Sequence, residues 1–528
     1  MKINACQLRP RLGDIRHNVS LVLNNIQESG SEIIIFSELF LVGYPITDQF
    51  FESEIPDMID QSIEQIKLAS KSSLSLIVIG TPYFDGDHWR NAALAIYKGE
   101  VIHHHFKQCL PDYDIFNESR YFVAGNTVEP FFWEGKTIAL LICEDIWADQ
   151  HPYRYKTDPV HRLKGQPIDL VIHLTASPYE YGKFENRKRQ VRRVAMALKT
   201  TVASVNQVGG YNDILFDGQS VMVNHHGKVI TRFPAFKETV REINQPMSQS
   251  KFIREEIQIQ AIEYGLKQYM AGSGFERVLV GLSGGIDSAL VAALAVKAIG
   301  PEKVALITMP TQFNSKETKN DAIEMAHQLG CSITEFPIES YRKALIHDLS
   351  TAFNYDQVST LTDQNLQARL RGMVLMAISN NTGALLLTTG NKSELAMGYA
   401  TLYGDMCGGL NIIGDLFKTE VFELAKYLNQ KGEWIPETII SRPPSAELAH
   451  NQADEDELPP YRCLDKILDE LMIQKLSLNT IRELNDNNDV EFVLRRLKVM
   501  EYKRFQSPPI LKLSSTSFGR GWQFPLIK

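Results

Sequence analysis

The sequence is poor in cysteine, with six in 528 residues and no CxxC pair among them. Cys6, Cys109, Cys143, Cys331, Cys407 and Cys463 therefore read as reduced thiols, not as a disulfide framework. It also lacks any apolar stretch near the roughly 20 residues of a membrane helix, since IIIFSELFLVGY is broken by Ser37 and Glu38. No apolar signal core follows the opening MKINACQLRPRLGD. Positive charge is in deficit, 55 Lys and Arg against 63 Asp and Glu, for a net −8. No global field then draws in nucleic acid or an anionic membrane. These absences predict a cytoplasmic protein with no nucleic-acid or membrane partner, in which any nucleotide is held by a local site. Internal repeats and low-complexity tracts are missing as well.

What is present is an ordinary globular composition, 44% apolar and 22% charged, in a chain long enough for two large domains or several of roughly 150 residues. From Lys2 to about Val240, β-rich runs such as EIIIFSEL, SLIVIGTPYF, NAALAIY, TIALLICEDI and DLVIHLTA alternate with helical or turn segments, which predicts a layered α/β domain. Its first helix follows Asp14, with Ile15, Val19, Val22 and Ile26 on one face and Gly30 past its end. Turns around Gly99 and Gly227 suit hairpins, so the sheet is expected to be mixed. Residues 242–251, EINQPMSQSK, are the least hydrophobic stretch between structured regions and read as a linker between domains at 1–241 and 252–528. In the second domain, strand RVLVGL, a Gly-rich turn, helix SALVAALAVKAIG and strands KVALITMP, SITEFPI and ALLLTTG predict a doubly wound parallel sheet. DEDELPP, 454–460, reads as a solvated acidic loop.

The Gly-rich turn carries the first chemical signal. VLVGLSGGIDS, 278–288, sets glycines directly between an apolar strand and a helix. Gly284 and Gly285 carry no Cβ, so backbone N–H groups can approach a phosphate, and the helix N-terminus adds partial positive charge. Ser283 and Ser288 can donate to phosphate oxygens, while Asp287 can hold Mg²⁺. A plain helix cap explains these residues singly but not the whole run. No GK[ST] follows, so ordinary γ-phosphate hydrolysis is not what the loop predicts.

SGGIDS resembles the signature of the ATP pyrophosphatases of the adenine-nucleotide α-hydrolase type, which attack the α-phosphate, attach AMP to a substrate oxygen and release pyrophosphate. QNLQARLRGMVLMAISN, LLLTTGNKSELAMGYATLYGD, FKTEVFELA and SRPPSAEL carry that resemblance to the NAD synthetases. It implies that ATP meets Gly281, Leu282, Ser283, Gly284, Gly285, Ile286, Asp287 and Ser288, together with Thr389, Lys418 and Ser445. It also implies that Asp287 and Glu394 hold Mg²⁺ and that Asn365, Arg369, Glu394 and Lys503 face deamido-NAD. Taken alone, each has a plainer reading, Arg369 as the partner of a surface carboxylate and Lys418 as a helix-start lysine, and the set together with SGGIDS outweighs it. The loop at 405–412 departs from the family's Gly-rich pattern, which leaves Asp405 outside the expected site.

In the amino-terminal half three residues stand where strands end: Glu38 after EIIIFS, Lys107 after VIHHHF and Cys143 after TIALLI. A nucleophilic thiol needs a base and a nearby cation, and a carboxylate with an ammonium supplies both. Position alone favours a buried core cysteine. SELFLVGYP, HHHFKQCLPDYDIFNESRYF and LLICEDIW, however, resemble the nitrilase-family amidases, whose fold is an αββα sandwich. The resemblance implies Glu38 as proton acceptor, Lys107 as second catalytic group, Cys143 as nucleophile, and Glu118 as a further active-site glutamate. Within the glutaminase branch it implies that Tyr113, Ser177 and Lys183 touch glutamine, with Arg187 as a neighbour. His103, His104 and His105 sit on one strand, where adjacent side chains point to opposite faces, so they are not expected to bind a metal together. The basic run KFENRKRQVRRVAMALK is expected to be an amphipathic helix with a solvated side.

An amidase joined to an adenylating unit makes one reaction, in which ammonia from glutamine attacks a carboxylate activated as its adenylate. The combined resemblance is to the glutamine-dependent NAD synthetases. It implies deamido-NAD, ATP and glutamine or ammonia as substrates, Mg²⁺ as cofactor and a homo-oligomer. Two other readings stay open on the residues alone: an ATP-pyrophosphatase-type amidotransferase acting on a different carboxylate, and a catalytically silent nucleotide-binding scaffold.

Overall fold

The computed structural model describes residues 1–151, 155–246, 253–445, 447–449 and 454–526. The chain divides into two compact units, Met1–Phe252 and Ile253–Lys528. Among the described residues no helix is long and apolar enough to cross a membrane.

The first unit contains two six-stranded sheets. In spatial order one runs Thr239–Glu242, Ile3–Gln7, Ile33–Ile35, Leu76–Phe84, Trp89–Tyr97 and Glu100–Phe106. The other runs Val229–Arg232, Val221–Val223, Thr201–Asn206, Leu170–Thr175, Lys136–Ile142 and Phe131–Trp133. Both mix parallel and antiparallel pairs, as the turn chemistry implies. Lys98 and Gly99 take φ of 48° and 92° and join Tyr97 directly to its partner Glu100, the two-residue hairpin that follows strand twist. The period of two along each strand builds the layers. Ile33, Ile35, Leu76 and Val78 meet Ile138, Leu140, Leu170 and Ile172 between the sheets, while Ile34, Phe36, Ile77 and Ile79 pack under helices Ile15–Glu28 and Ile55–Ser70. On the far side Val191, Val194 and Ala195 of helix Lys183–Leu198 cover Ala139, Leu141 and Val171. The order helix, sheet, sheet, helix is the expected αββα sandwich, and the basic run is the expected amphipathic helix.

The expected linker at 242–251 starts inside this unit. Glu242 pairs with Asn4, and Ile243 is buried between the sheets, so a single apolar residue in a polar run is enough to hold the strand end. Residues 247–251 of that segment lie outside the described residues.

The second unit is built on a five-stranded parallel sheet in the order Ser332–Glu335, Val304–Thr308, Val278–Gly281, Leu385–Thr388 and Leu410–Asn411. The chain enters at the centre, winds to one edge and returns on the other side. Strand direction of travel therefore reverses at Val278–Gly281, and the carboxyl ends there open the crevice where doubly wound sheets bind ligands. The following helix, Ile286–Ile299, is buried around most of its circumference, consistent with its unbroken apolar run. A separate apolar cluster joins Leu395 and Met397 to helices Tyr461–Leu468 and Asn487–Val499. The acidic run before those helices is not simply a solvated loop: Asp454 is buried and accepts from the Tyr461 hydroxyl at 3.0 Å.

Candidate active sites

In the first unit the three expected catalytic residues converge in a buried cluster. Lys107 Nζ donates to Glu38 Oε1 at 2.7 Å and to Glu118 Oε1 at 2.6 Å. Burial alone would discharge this lysine, but Glu118 and Glu38 hold its ammonium well above the usual range. Glu38 also accepts from Asn91 Nδ2 at 2.9 Å and from the Ala176 N–H at 2.9 Å, which fixes both of its oxygens. Removing one member of such a buried set costs on the order of 3–5 kcal/mol, because it leaves an uncompensated charge.

Cys143 lies at the end of strand Lys136–Ile142 with φ of 40°, a left-handed turn that breaks the strand line and lifts the thiol out of it. The turn is locked from behind. Asp145 accepts from Ile142 N–H at 3.0 Å, from Gln108 and Cys109 N–H at 2.9 and 3.1 Å, and bonds His105 Nε2 at 2.8 Å. One buried carboxylate thus ties the turn carrying Cys143 to the segment carrying Lys107. Despite burial, His105 and these N–H groups hold it below the usual carboxylate range. His173 supports the same turn: burial lowers it to about 4, so the ring is neutral, and its Nε2 donates to the Cys143 carbonyl at 3.2 Å while Nδ1 accepts from Ser204 Oγ. Burial and the Glu38 charge push the Cys143 thiol up, with Lys107 pulling down. The resting sulfur is therefore a thiol, and ionisation must accompany proton transfer in the reaction.

Of the expected glutamine residues, Tyr113 and Lys183 meet the segment after the thiol, and Ser177 bonds Asn206. Tyr113 Oη donates to Glu144 Oε1 at 2.8 Å, one residue after the thiol. Lys183 Nζ lies 5.5 Å from the Trp147 ring centre, and the Ser177 N–H donates to Asn206 Oδ1 at 2.9 Å. Arg187 is buried against Asp217 at 3.0 Å, and Asn206 Nδ2 bonds the same carboxylate, so Arg187 supports Ser177 through two intervening side chains. Cys109 points elsewhere, its thiol 3.9 Å from Thr157 O and raised by burial. The three histidines go to different partners: His103 stacks on Phe131, His104 on Phe106, and His105 bonds Asp145. Asn91 and Tyr44 carry no mark in the sequence, because each joins the site through long-range contacts, to Glu38 and to Glu118.

Glu118 gives this cluster a pH signature. Tyr44 Oη donates to it at 2.8 Å, and burial pushes its carboxyl up to about 7, Lys107 pulling against the shift and Glu38 adding to it. Its folded value lies above the ordinary 4.5, so the folded protein keeps a proton that the unfolded chain has lost. That stabilisation is complete below the ordinary value and disappears as pH rises through about 7. The urea midpoint of the unsubstituted protein relative to Glu118→Gln should therefore fall between about pH 5 and about pH 8. A difference constant over that range would refute a titrating Glu118.

In the second unit a cavity of about 280 Å³ opens at the carboxyl ends of the central strands. All of 281–288, with Thr389, Glu394, Lys418 and Ser445, line it. Gly284 has φ of 89°, and a Cβ there would fall 2.2 Å from Thr318 O, so the loop passes where no side chain fits. Ser288 Oγ bonds Ser283 Oγ at 3.0 Å and donates to Gly285 O at 3.1 Å, closing the loop on itself. Beside it Lys418 Nζ donates to Asp287 Oδ2 at 2.5 Å and to Glu394 Oε1 at 3.0 Å, while Asn391 Nδ2 holds the other Asp287 oxygen at 2.9 Å. Burial pushes Glu394 up to about 8, Lys418 opposing and Asp287 reinforcing the shift. Two carboxylates held on one cation fit a hard ion such as Mg²⁺. No cluster of three or more His, Cys, Asp or Glu ligands occurs among the described residues, so the remaining oxygens would come from phosphate or water.

Three expected residues gather elsewhere, around the loop at 398–402. Thr401 Oγ1 donates to Asn365 Oδ1 at 2.9 Å, Arg369 Nε donates to Leu402 O at 3.2 Å, and Lys503 Nζ donates to Gly398 O and Ala400 O at 2.8 and 2.6 Å. They border the cavity through Tyr399 and Ala400, which line it, without lining it themselves. Asp405, set aside on sequence grounds, does line it; burial pushes its carboxyl up to about 6 although the Thr401 N–H bonds it. Asp454 lines it too.

Comparison with known proteins agrees with this geometry. The Carbon-nitrogen hydrolase family model matches residues 2–251, and the NAD synthase model matches residues 258–507. The glutamine-dependent NAD(+) synthetase of Synechocystis sp. is 36% identical over 99% of this chain and 98% of its own length. That of Acinetobacter baylyi is 36% identical over 100% and 98%. Among solved structures, the glutamine-dependent NAD+ synthetase of Acinetobacter baumannii in complex with ADP superposes with a TM-score of 0.78 at 34% identity, over 99% of this chain and 98% of that one. Two domain families in one order and full-length identity above a third leave one assignment: the chain belongs to the glutamine-dependent NAD(+) synthetases.

Proposed function

We propose that the chain makes NAD from deamido-NAD, ATP and glutamine, releasing AMP, pyrophosphate and glutamate. The observation that carries this reading is the presence in one chain of a buried Glu38, Lys107 and Cys143 cluster and a Gly-rich phosphate loop flanked by Asp287, Glu394 and Lys418. Cys143 attacks the glutamine amide carbonyl as Glu38 accepts the thiol proton. Lys107 stabilises the oxyanion, the proton passes to the departing ammonia, and water releases glutamate from the thioester. Tyr113, Ser177 and Lys183 orient the glutamine.

In the second unit the problem is like charge, since a carboxylate must approach the α-phosphorus of a polyphosphate. The amides of Gly284 and Gly285 and the amino end of helix Ile286–Ile299 draw the phosphates to one wall, and Lys418 offsets their charge. Asp287 and Glu394 would hold Mg²⁺, which when bound neutralises phosphate charge. Attack by the deamido-NAD carboxylate expels pyrophosphate, and ammonia then displaces AMP from the adenylate. Asn365, Arg369, Glu394 and Lys503 face deamido-NAD, while Thr389 and Ser445 contact ATP. The same reading takes the protein to be a cytoplasmic homo-oligomer that acts on small molecules, without nucleic-acid or membrane partners.

Product analysis with deamido-NAD, ATP and Mg²⁺ tests it. NAD, AMP and pyrophosphate are expected in equal amounts with glutamine or ammonium, and glutamate only when glutamine is the donor. ADP and phosphate in their place would overturn attack at the α-phosphate. AMP formation only with some other carboxylate would move the reading to another amidotransferase.

A further inference from the structure

Four cations line the cavity of the second unit: Lys319, Arg371, Lys418 and Arg442. Three already have carboxylate partners. Lys319 pairs with Glu335 at 2.7 Å, Lys418 with Asp287 and Glu394, and Arg442 with Asp321. Arg371 is the exception, with no carboxylate ion pair among the described residues. Its hydrogen bonds go to neutral acceptors, from Nε to Met309 O at 3.1 Å and from Nη2 to Asn314 Oδ1 at 3.3 Å. Nη1 has no protein acceptor among the described residues, and it is not sealed from the cavity that the side chain lines.

Arg371 is half-buried and makes no ion pair of its own, so part of its charge is left for a ligand to meet. Burial bears on this guanidinium, lowering it to about 10 against the attraction of Asp405 and Glu447, so it stays charged at neutral pH. Its position is fixed as well. Helix Thr360–Thr382 presents Ala368, Arg371, Gly372 and Leu375 to the cavity. A Cβ on Gly372 would lie 2.8 Å from Gly404 O and one on Gly404 would lie 2.9 Å from Ala368, so helix and loop touch through their backbones. Arg369, two positions away, is turned to the Leu402 carbonyl instead.

A rigid, charged guanidinium with an open N–H suits the oxygens of a phosphoryl group better than any neutral ligand. We propose that Arg371 binds a phosphoryl oxygen of the adenine nucleotide in this cavity, acting as a second anchor beside the Ser283–Ser288 loop. The assignment rests on the reading of this cavity as the nucleotide site.

Equilibrium binding of ADP and of adenosine to the full-length protein separates the possibilities. Arg371→Gln keeps a donor for Met309 O but removes the charge. Loss of a charge-assisted hydrogen bond should weaken ADP about 10- to 100-fold, while adenosine, which has no phosphate, binds both proteins alike. Arg371→Lys, which keeps the charge without the fork, should fall between them for ADP and serves if the glutamine variant does not fold. Unchanged ADP affinity in either variant would overturn the proposal, as would an equal loss for ADP and adenosine, which would mean damage to the cavity wall. Failure of the unsubstituted protein to bind either ligand would instead remove the nucleotide reading beneath it.

Discussion

Replacing Cys143 with alanine is expected to abolish glutamine-driven NAD formation, by at least about 10⁴-fold, because the variant has no group that can form the thioester. Ammonium-driven formation should survive largely intact. The reason is the separation of parts: Glu38, Lys107 and Cys143 lie in Met1–Phe252, and every residue lining the nucleotide cavity lies in Ile253–Lys528. The substitution removes only the thiol from a buried cluster. Glu38 keeps its bonds from Lys107, Asn91 and Ala176, and Asp145 keeps its four, from Ile142, Gln108, Cys109 and His105, so the amino-terminal unit retains its fold. The left-handed φ of 40° at this position is no worse for alanine than for cysteine. Rates of NAD formation with each donor decide the matter, and equal loss with both would remove Cys143 from the glutamine step.

Much of this could be read from the sequence because much of it is local. The β-rich runs are strands, and the turn residues Lys98 and Gly99 mark a hairpin. The phosphate loop is likewise local, a strand, two glycines and a helix start within eleven residues, 278–288. Features created by distant contacts were not legible. Asn91 meets Glu38 across 53 residues of chain and Asp145 meets His105 across 40, with no shared spacing to mark them. Charge was misleading in a different way. The acidic run at 454–460 looks solvated by composition, yet one turn of backbone buries Asp454 while its neighbour Glu457 stays exposed. On helix Thr360–Thr382 the resemblance marks Arg369, which bonds the Leu402 carbonyl, while Arg371, two residues on, lines the cavity and carries no mark in the sequence.

The second large effect falls on the other unit. Asp287→Ala is expected to lower AMP and pyrophosphate formation roughly 10²- to 10³-fold with glutamine and with ammonium alike, because both donors depend on the same adenylation step. Asp287 is one of two carboxylates bonded to Lys418, and its other oxygen is held by Asn391, so it sets the position of the lysine besides being one of the two carboxylates proposed to hold Mg²⁺. Removing it leaves Lys418 paired with Glu394 alone, and it removes the like charge that helps to push the Glu394 carboxyl up. Glu394 should then ionise more readily, which keeps the ammonium paired and the cavity wall folded while the two-carboxylate arrangement is gone. Asp287→Asn preserves shape and keeps one acceptor, enough for Lys418 or Asn391 but not for both, so a comparable loss in that variant would assign the effect to the lost carboxylate and not to collapse. The contrast with Cys143→Ala is the informative part: one variant separates the nitrogen donors and the other does not. AMP formation retained at the unsubstituted rate in Asp287→Ala would refute the metal-holding role, and loss confined to glutamine would mean that this aspartate acts on the ammonia supply and not on adenylation.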